Sequence, residues 1–153
     1  MTTLERVQTY LTRMNCAFEH DQHELAYTAR EVAHIEHISE RTFAKSVIVH
    51  SETGFAMCVL PADRLVDLEQ LRTTFGFHRL RLATESEIGD LFPDCELGAM
   101  PPFGTLYNLP VYVDESLAKD REVVFNAGTH HDAVRMAYED FVRLASPQVC
   151  SFT

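Results

Sequence analysis

Leu4, Val7, Leu11 and Met14 recur at helical spacing behind Thr2-x-x-Glu5, a capping-box pattern. The chain is therefore expected to open with an amphipathic helix. "CAFEHD" reads as a short strand. A second box, Thr28-x-x-Glu31, predicts a short helix with Val32 and Ile35 turned inward. In "TFAKSVIVHSETGFAMCVLPAD" two apolar, β-branched runs flank the turn "SETG", which predicts a hairpin ended by Pro61. "VDLEQLRTTFG" reads as a helix with Asp67 as N-cap and Gly76 as its stop. "FHRLRLA" alternates and suits a strand. Thr84-x-x-Glu87 opens another helix, which must stop before Pro93. "LPVYVDES" and "REVVFNAG" read as strands joined by "LAKD". "THHDAVRMAYEDFVRLASP" reads as a final helix, with Val134, Ala137, Tyr138, Phe141 and Leu144 on one face and Pro147 just beyond its end.

Hairpins outnumber regular strand–helix–strand alternation in this order. The expected class is α/β of the α+β kind: a mixed, largely antiparallel sheet able to curl toward a barrel, with helices outside it. No Gly-x-Gly-x-x-Gly follows the early strand and no Walker-type Gly-Lys-Ser/Thr occurs, which argues against a doubly wound nucleotide fold.

A length of 153 residues favours a single domain over 1–153. A domain of this size buries about 70% of its unfolded surface, enough for a sizeable core. The apolar runs are far shorter than the roughly 20 residues that span a bilayer, and the N-terminal pattern is not that of a secretory signal. No membrane association is expected, and a cytoplasmic location is. Cys16, Cys58, Cys95 and Cys150 form no Cys-x-x-Cys pair, so free thiols are expected in place of a zinc knuckle or redox motif. The net charge of −10 argues against a general nucleic-acid coat or a DNA-binding surface, yet leaves room for a local basic mouth on one RNA end. Of the 13 basic side chains only Lys45 and Lys119 are lysines, so their positions matter.

Three places could carry chemistry. Lys45 lies early in the first hairpin strand, on one face with Val47 and Val49. If that face looks inward, its ammonium needs an anion, either a carboxylate or a ligand phosphate; the alternative is an edge lysine that blocks aggregation. The second place is "GAMPPFG". Gly98 and Gly104 allow close approach to the main chain. Pro101 and Pro102 stiffen it and remove two donors. The N–H groups of Phe103 and Gly104 could face an oxyanion, with Met100 and Phe103 as apolar wall; the alternative is a rigid connection with Phe103 plugged into the core. The third is "NAGTHH", read as a strand end at Gly128 followed by a helix start capped by Thr129. There His130 could donate to a substrate oxygen or move a proton. Adjacent helical residues diverge by about 100°, so His130 and His131 share a metal poorly, and no metal or other cofactor is expected. No Gly-x-Ser-x-Gly elbow is present. Cys95, close to the loop, is expected to be structural.

"AYTAREVAHIEHISERTFAKSVIV", "GAMPPFG" and "FNAGTHHDAVRMAYEDFVRL", in this order, resemble the YbaK/EbsC family of prolyl-tRNA-synthetase-associated, insertion-like editing domains. The resemblance runs over roughly the whole chain. It implies a barrel-like mixed sheet wrapped by helices, and free-standing hydrolysis of the ester between an amino acid and the terminal adenosine of a mischarged tRNA. Carried over position by position, Lys45 matches the lysine that helps hold the tRNA 3′ end. Gly98 and Pro102 match a Gly-x-x-x-Pro motif that Phe103 and Gly104 continue as in the alanine-editing branch, and Gly128 and His130 match a Gly-x-His element. Thr129, Pro101 and Met100 would border the substrate. The doubled proline and the "GTHHD" turn depart from the branch acting on Cys-tRNA(Pro), so the cognate amino acid does not carry over. The implied partners are the aminoacyl-tRNA 3′ end and a synthetase. The rivals are a non-catalytic pocket that binds a nucleotide, an amino acid or a synthetase, and a metal-dependent hydrolase using His130, His131 and Asp132.

Overall fold

The computed structural model describes residues 1–153 except 24–30, 32–33, 35–37 and 40. The expected capping box at Thr28 and its inward Val32 and Ile35 lie outside the described residues.

The local signals act where they stand. Helix α1 (Thr3–Arg13) begins with a reciprocal cap: the Glu5 N–H donates to Thr2 Oγ1 at 3.1 Å and the Thr2 N–H to Glu5 Oε2 at 3.0 Å. Strand β1 (Phe18–Gln22) follows. Strands β2 (Ala44–Ser51) and β3 (Gly54–Pro61) form the hairpin, with Ser51 opposite Gly54 across a turn of Glu52 and Thr53. Gly54 takes φ +118°, open to glycine and strained for other residues. Helix α2 (Leu68–Phe75) is capped by Asp67 and stopped by Gly76 in the left-handed region at φ 69°. Strand β4 (Leu80–Leu82) leads to α3 (Glu85–Leu91), whose Thr84–Glu87 box is complete. There Arg81 and the Thr84 N–H pull the Glu87 carboxyl down to about 2.

Strands β5 (Val111–Asp114) and β6 (Glu122–Asn126) flank a short 3₁₀ turn. The last third differs from expectation. Residues 132–137 form a strand, β7 (Asp132–Ala137), and helix α4 begins only at Tyr138 and runs to Ala145. Val134 and Met136 point into the core and half-buried Arg135 lies between them, a period of two. Pairing with β1 on one side and β6 on the other outweighs the longer apparent helical period. A strand the sequence reading passed over, β8 (Gln148–Cys150), lies parallel to β5.

These strands make two sheets, ordered β1-β7-β6 and β4-β2-β3-β5-β8. β3–β5 and β5–β8 are parallel and the other pairs antiparallel, so the expected mixed, largely antiparallel character holds. The two sheets do not close into a ring. They meet at a parallel bridge between Phe43 and Val124, where the Val124 N–H donates to the Thr42 carbonyl at 3.1 Å. The main core contains Val7 and Leu11 of α1, Ile48, Met57, Val113, Phe125 and Phe141. Among the described residues no helix is long and apolar enough to cross a membrane.

Candidate active site

Glu96, Leu97, Gly98 and Ala99 form a tight turn. The Ala99 N–H donates to the Glu96 carbonyl at 3.0 Å, and Gly98 takes φ +86° at the third position, the type II signature. This turn clasps the Gly128 peptide from both sides. The Gly128 N–H donates to the Ala99 carbonyl and the Glu96 N–H to the Gly128 carbonyl, each at 2.8 Å. A side-chain contact completes the join: the buried His130 ring donates through Nε2–H to the Leu97 carbonyl at 2.7 Å. A carbonyl accepts only, so Nε2 carries the proton. The ring lies under Gly98, where a Cβ would sit 3.6 Å from its Cε1. Gly98, Gly128 and His130 thus meet at one place.

"NAGTHH" does not start a helix. It is the loop of the β6–β7 hairpin, with Asn126 opposite Ala133. The Thr129 and Asp132 pattern closes this loop in place of capping a helix. Thr129 Oγ1 accepts from the His131 and Asp132 N–H groups, both at 3.1 Å, and donates to Asp132 Oδ2 at 2.6 Å. His20 reaches the other Asp132 oxygen at 2.8 Å. Burial pushes the Asp132 carboxyl up, but bonds from Thr129, His20 and Gln22 outweigh it and hold the group below its ordinary value. The folded state therefore binds this proton less tightly than the unfolded chain. Asp132 contributes stability above its unfolded pKa of about 3.9 and loses it as pH falls through the lower folded value. Thermal unfolding from pH 7 to pH 3 should show a shallower decline in Asp132→Asn than in the native chain; parallel curves would remove Asp132 from the acid response.

Gly128 has a second constraint. At φ +95° its missing Cβ would lie 2.5 Å from Thr3 Cβ. Thr3 Oγ1 in turn donates to the Asp94 carbonyl at 2.8 Å. Arg6 bonds Asp94 Oδ2 and the Leu106 carbonyl, both at 2.8 Å, beneath the Tyr107 ring. The first turns of α1 therefore buttress the loop from behind.

Within "GAMPPFG" the wall expected from Phe103 is absent. Its ring is fully enclosed, edge-on to Tyr10, Phe125 and Phe141 at centroid distances of 5.9, 5.4 and 5.7 Å. Met100 is also buried in the main core. The plug alternative holds for the side chain because a phenyl ring gains more from an apolar aromatic nest than from a wet pocket rim. The backbone is another matter. Neither the Phe103 nor the Gly104 N–H donates to an acceptor among the described residues. Gly104 has no space for a side chain, with Val111 Cγ2 and the Leu109 carbonyl oxygen 2.5 and 2.7 Å from a built Cβ. Pro101 and Pro102 are both buried.

Lys45 is half-buried, opposite Leu60 of β3. Burial pushes its ammonium below the ordinary lysine value, and Asp63 partly offsets this. Its position follows from the bridge. Lys45 stands two residues beyond Phe43, and Asn126 two residues beyond Val124, on strands running in the same direction. By alternation both side chains leave the face of Phe43 and Val124. That end of β6 leads directly into the clasped Gly128. Asn126 was not among the expected site residues. Its signal was one polar residue inside the apolar run "REVVFNAG".

Cys95 Sγ touches Thr3 Oγ1 at 3.4 Å and the Tyr107 hydroxyl at 3.5 Å, and burial raises its pKa, which keeps it a thiol. Among the described residues no group of three or more His, Cys, Asp or Glu is placed to hold a metal ion. A groove along His50, Glu52, Arg79 and Arg81 lies at the other end of β2 and includes none of the expected site residues.

The family model for the aminoacyl-tRNA editing domain matches residues 23–144. The multifunctional Ser/Thr-tRNA deacylase ProXp-y of Escherichia coli K12 is 28% identical over 98% of this chain and 92% of its own length. A proline–tRNA ligase of Xanthomonas axonopodis pv. citri is 31% identical over 65% of this chain and 18% of its own. A solved structure described as a candidate trans-editing enzyme for prolyl tRNA synthetase superposes with a TM-score of 0.86 at 25% identity, covering 100% of this chain and 98% of that one. The family model covers most of the sequence and the fold superposes along its whole length: the chain belongs to the aminoacyl-tRNA editing domain family.

Proposed function

We propose that this protein is a free-standing aminoacyl-tRNA deacylase that removes a wrongly attached amino acid from the tRNA 3′ end. The observation that carries this reading is the match to the Escherichia coli Ser/Thr-tRNA deacylase along nearly the full length of both proteins. The likeness to a part of prolyl-tRNA ligases supports association with a synthetase. In our reading the whole of 1–153 works as one domain in the cytoplasm, and the Phe43–Val124 bridge supports a sheet curled toward a barrel.

An aminoacyl ester is already activated, so no protein nucleophile is needed. Water attacks the ester carbonyl. The bond from that carbon to the ribose 3′ oxygen breaks, the oxygen takes up a proton, and amino acid and tRNA separate. The N–H groups of Phe103 and Gly104, without an acceptor among the described residues, are the donors for the tetrahedral oxyanion, worth about 3 kcal/mol each in hydrolases. Lys45 neutralises a phosphate of the 3′ end as a compact point charge. His130, its Nε2–H committed to Leu97, positions the 96–99 turn around Gly128; Met100, Pro101, Pro102, Gly98 and Thr129 shape the loops that border the substrate.

The test is a panel of tRNAs charged with Ser, Thr, Ala, Pro and Cys. Free amino acid should appear from at least one, with Ser and Thr first. Binding of a charged tRNA without release from any would favour a non-catalytic pocket module.

A further inference from the structure

Asn126 is 8% exposed, and its Oδ1 has neither solvent contact nor a hydrogen-bond partner among the described residues. Val123, Phe125 and Ala127 around it turn into the main core, and Val124 joins Phe43 and Ala133 in a smaller cluster. A buried acceptor with no donor is costly, and nearly all such groups in folded proteins find one. The fold gains nothing visible from this amide: no side-chain bond ties it to β1, β7 or the 127–131 loop. It does share the face of Lys45 at the same level of the parallel bridge, two residues before the clasped Gly128.

We infer that Asn126 is a further substrate-binding residue whose carboxamide, turned about its side-chain bond toward the site, accepts through Oδ1 a hydrogen bond from a hydroxyl of the aminoacyl ester. The inference rests on the deacylase reading above. An ammonium donor is the poorer fit, because it would enter beside the Lys45 cation on the same face. A hydroxyl brings a donor without charge. Two hydroxyls are available in such a substrate: that of a seryl or threonyl side chain, and the 2′-hydroxyl of the terminal ribose. A site built to bond a hydroxyl discriminates strongly against the analogue without it, since the protein acceptor is then left unpaired.

The experiment compares native protein, Asn126→Ala and Asn126→Asp on three substrates: Ser-tRNA, Ala-tRNA, and Ser-tRNA whose terminal ribose lacks the 2′-hydroxyl. Asn126→Ala should lower kcat/KM on Ser-tRNA by about 100-fold. Asn126→Asp, which keeps an acceptor, should restore most of it. If the loss is confined to Ser-tRNA and spares Ala-tRNA, the side-chain hydroxyl is the donor. If it covers both but vanishes on the deoxy substrate, the ribose hydroxyl is. Equal losses on all three substrates would overturn the inference, as would a lowered melting temperature in Asn126→Ala, since the amide would then serve the fold. A native protein that releases nothing from any charged tRNA would instead remove the deacylase reading on which the inference stands.

Discussion

Lys45→Ala should cut deacylation of the best substrate by at least ~100-fold while changing stability by no more than about 1 kcal/mol. The two halves of this expectation share one cause. The ammonium is half-buried, and desolvation lowers its pKa against the weaker pull of Asp63. The fold therefore carries the charge at a cost, and alanine on a strand position relieves it. Stability supplies an independent check. Lys45 binds its proton less tightly folded than unfolded, so between its lowered folded pKa and 10.5 the unfolded chain holds more protons and stability rises with pH. Lys45→Ala should lose that alkaline rise. Turnover at the native rate would take Lys45 out of the mechanism. His130→Ala is expected to lose less activity, because its Nε2–H anchors the Leu97 carbonyl and two backbone bonds still hold the clasp at Gly128.

Gly128→Ala should destabilise the protein by about 3 kcal/mol, a fall of ~6–12 °C in melting temperature. Two penalties combine. At φ +95° a Cβ is strained whatever surrounds it, and here it would also lie 2.5 Å from Thr3 Cβ and 2.8 Å from Thr3 Cγ2. The strain is intrinsic to position 128; the clash is shared with α1. Thr3→Gly on top of Gly128→Ala should therefore recover about half of the loss through the removed clash and leave the φ cost in place. Strict additivity of the two substitutions would show that α1 yields freely and that the buttress is not rigid. Activity should fall with stability in the single variant, because the displaced Gly128 peptide supplies one bond to each end of the 96–99 turn.

Where sequence reading failed, long-range pairing had overruled a local pattern. Val134, Ala137, Tyr138, Phe141 and Leu144 fit one helical face on paper, yet Val134 belongs to a central strand held by neighbours more than 100 positions away on β1. Thr129 and Asp132 have the spacing of a helix cap and close a hairpin loop instead, since the same oxygen-to-N–H bonds serve both structures. Phe103 looked equally suited to a pocket wall and to the core. Only the arrival of Tyr10, Phe125 and Phe141 from three other elements decided it. Asn126 drew no notice because a lone polar residue at a strand end is ordinary until both its neighbours and its missing partner are seen.

From the amino-acid order alone came the hairpin at Glu52-Thr53, the caps at Thr2, Asp67 and Thr84, and the mixed sheet. Each of these depends on residues within a few positions of one another, so chain order carries the information. Tertiary structure decided that Gly98 clasps Gly128, that α1 stands behind that clasp, and that Lys45 and Asn126 leave one face. Those relations join residues 30 to 125 positions apart, and they exist only once burial of the shared core has set the strands side by side.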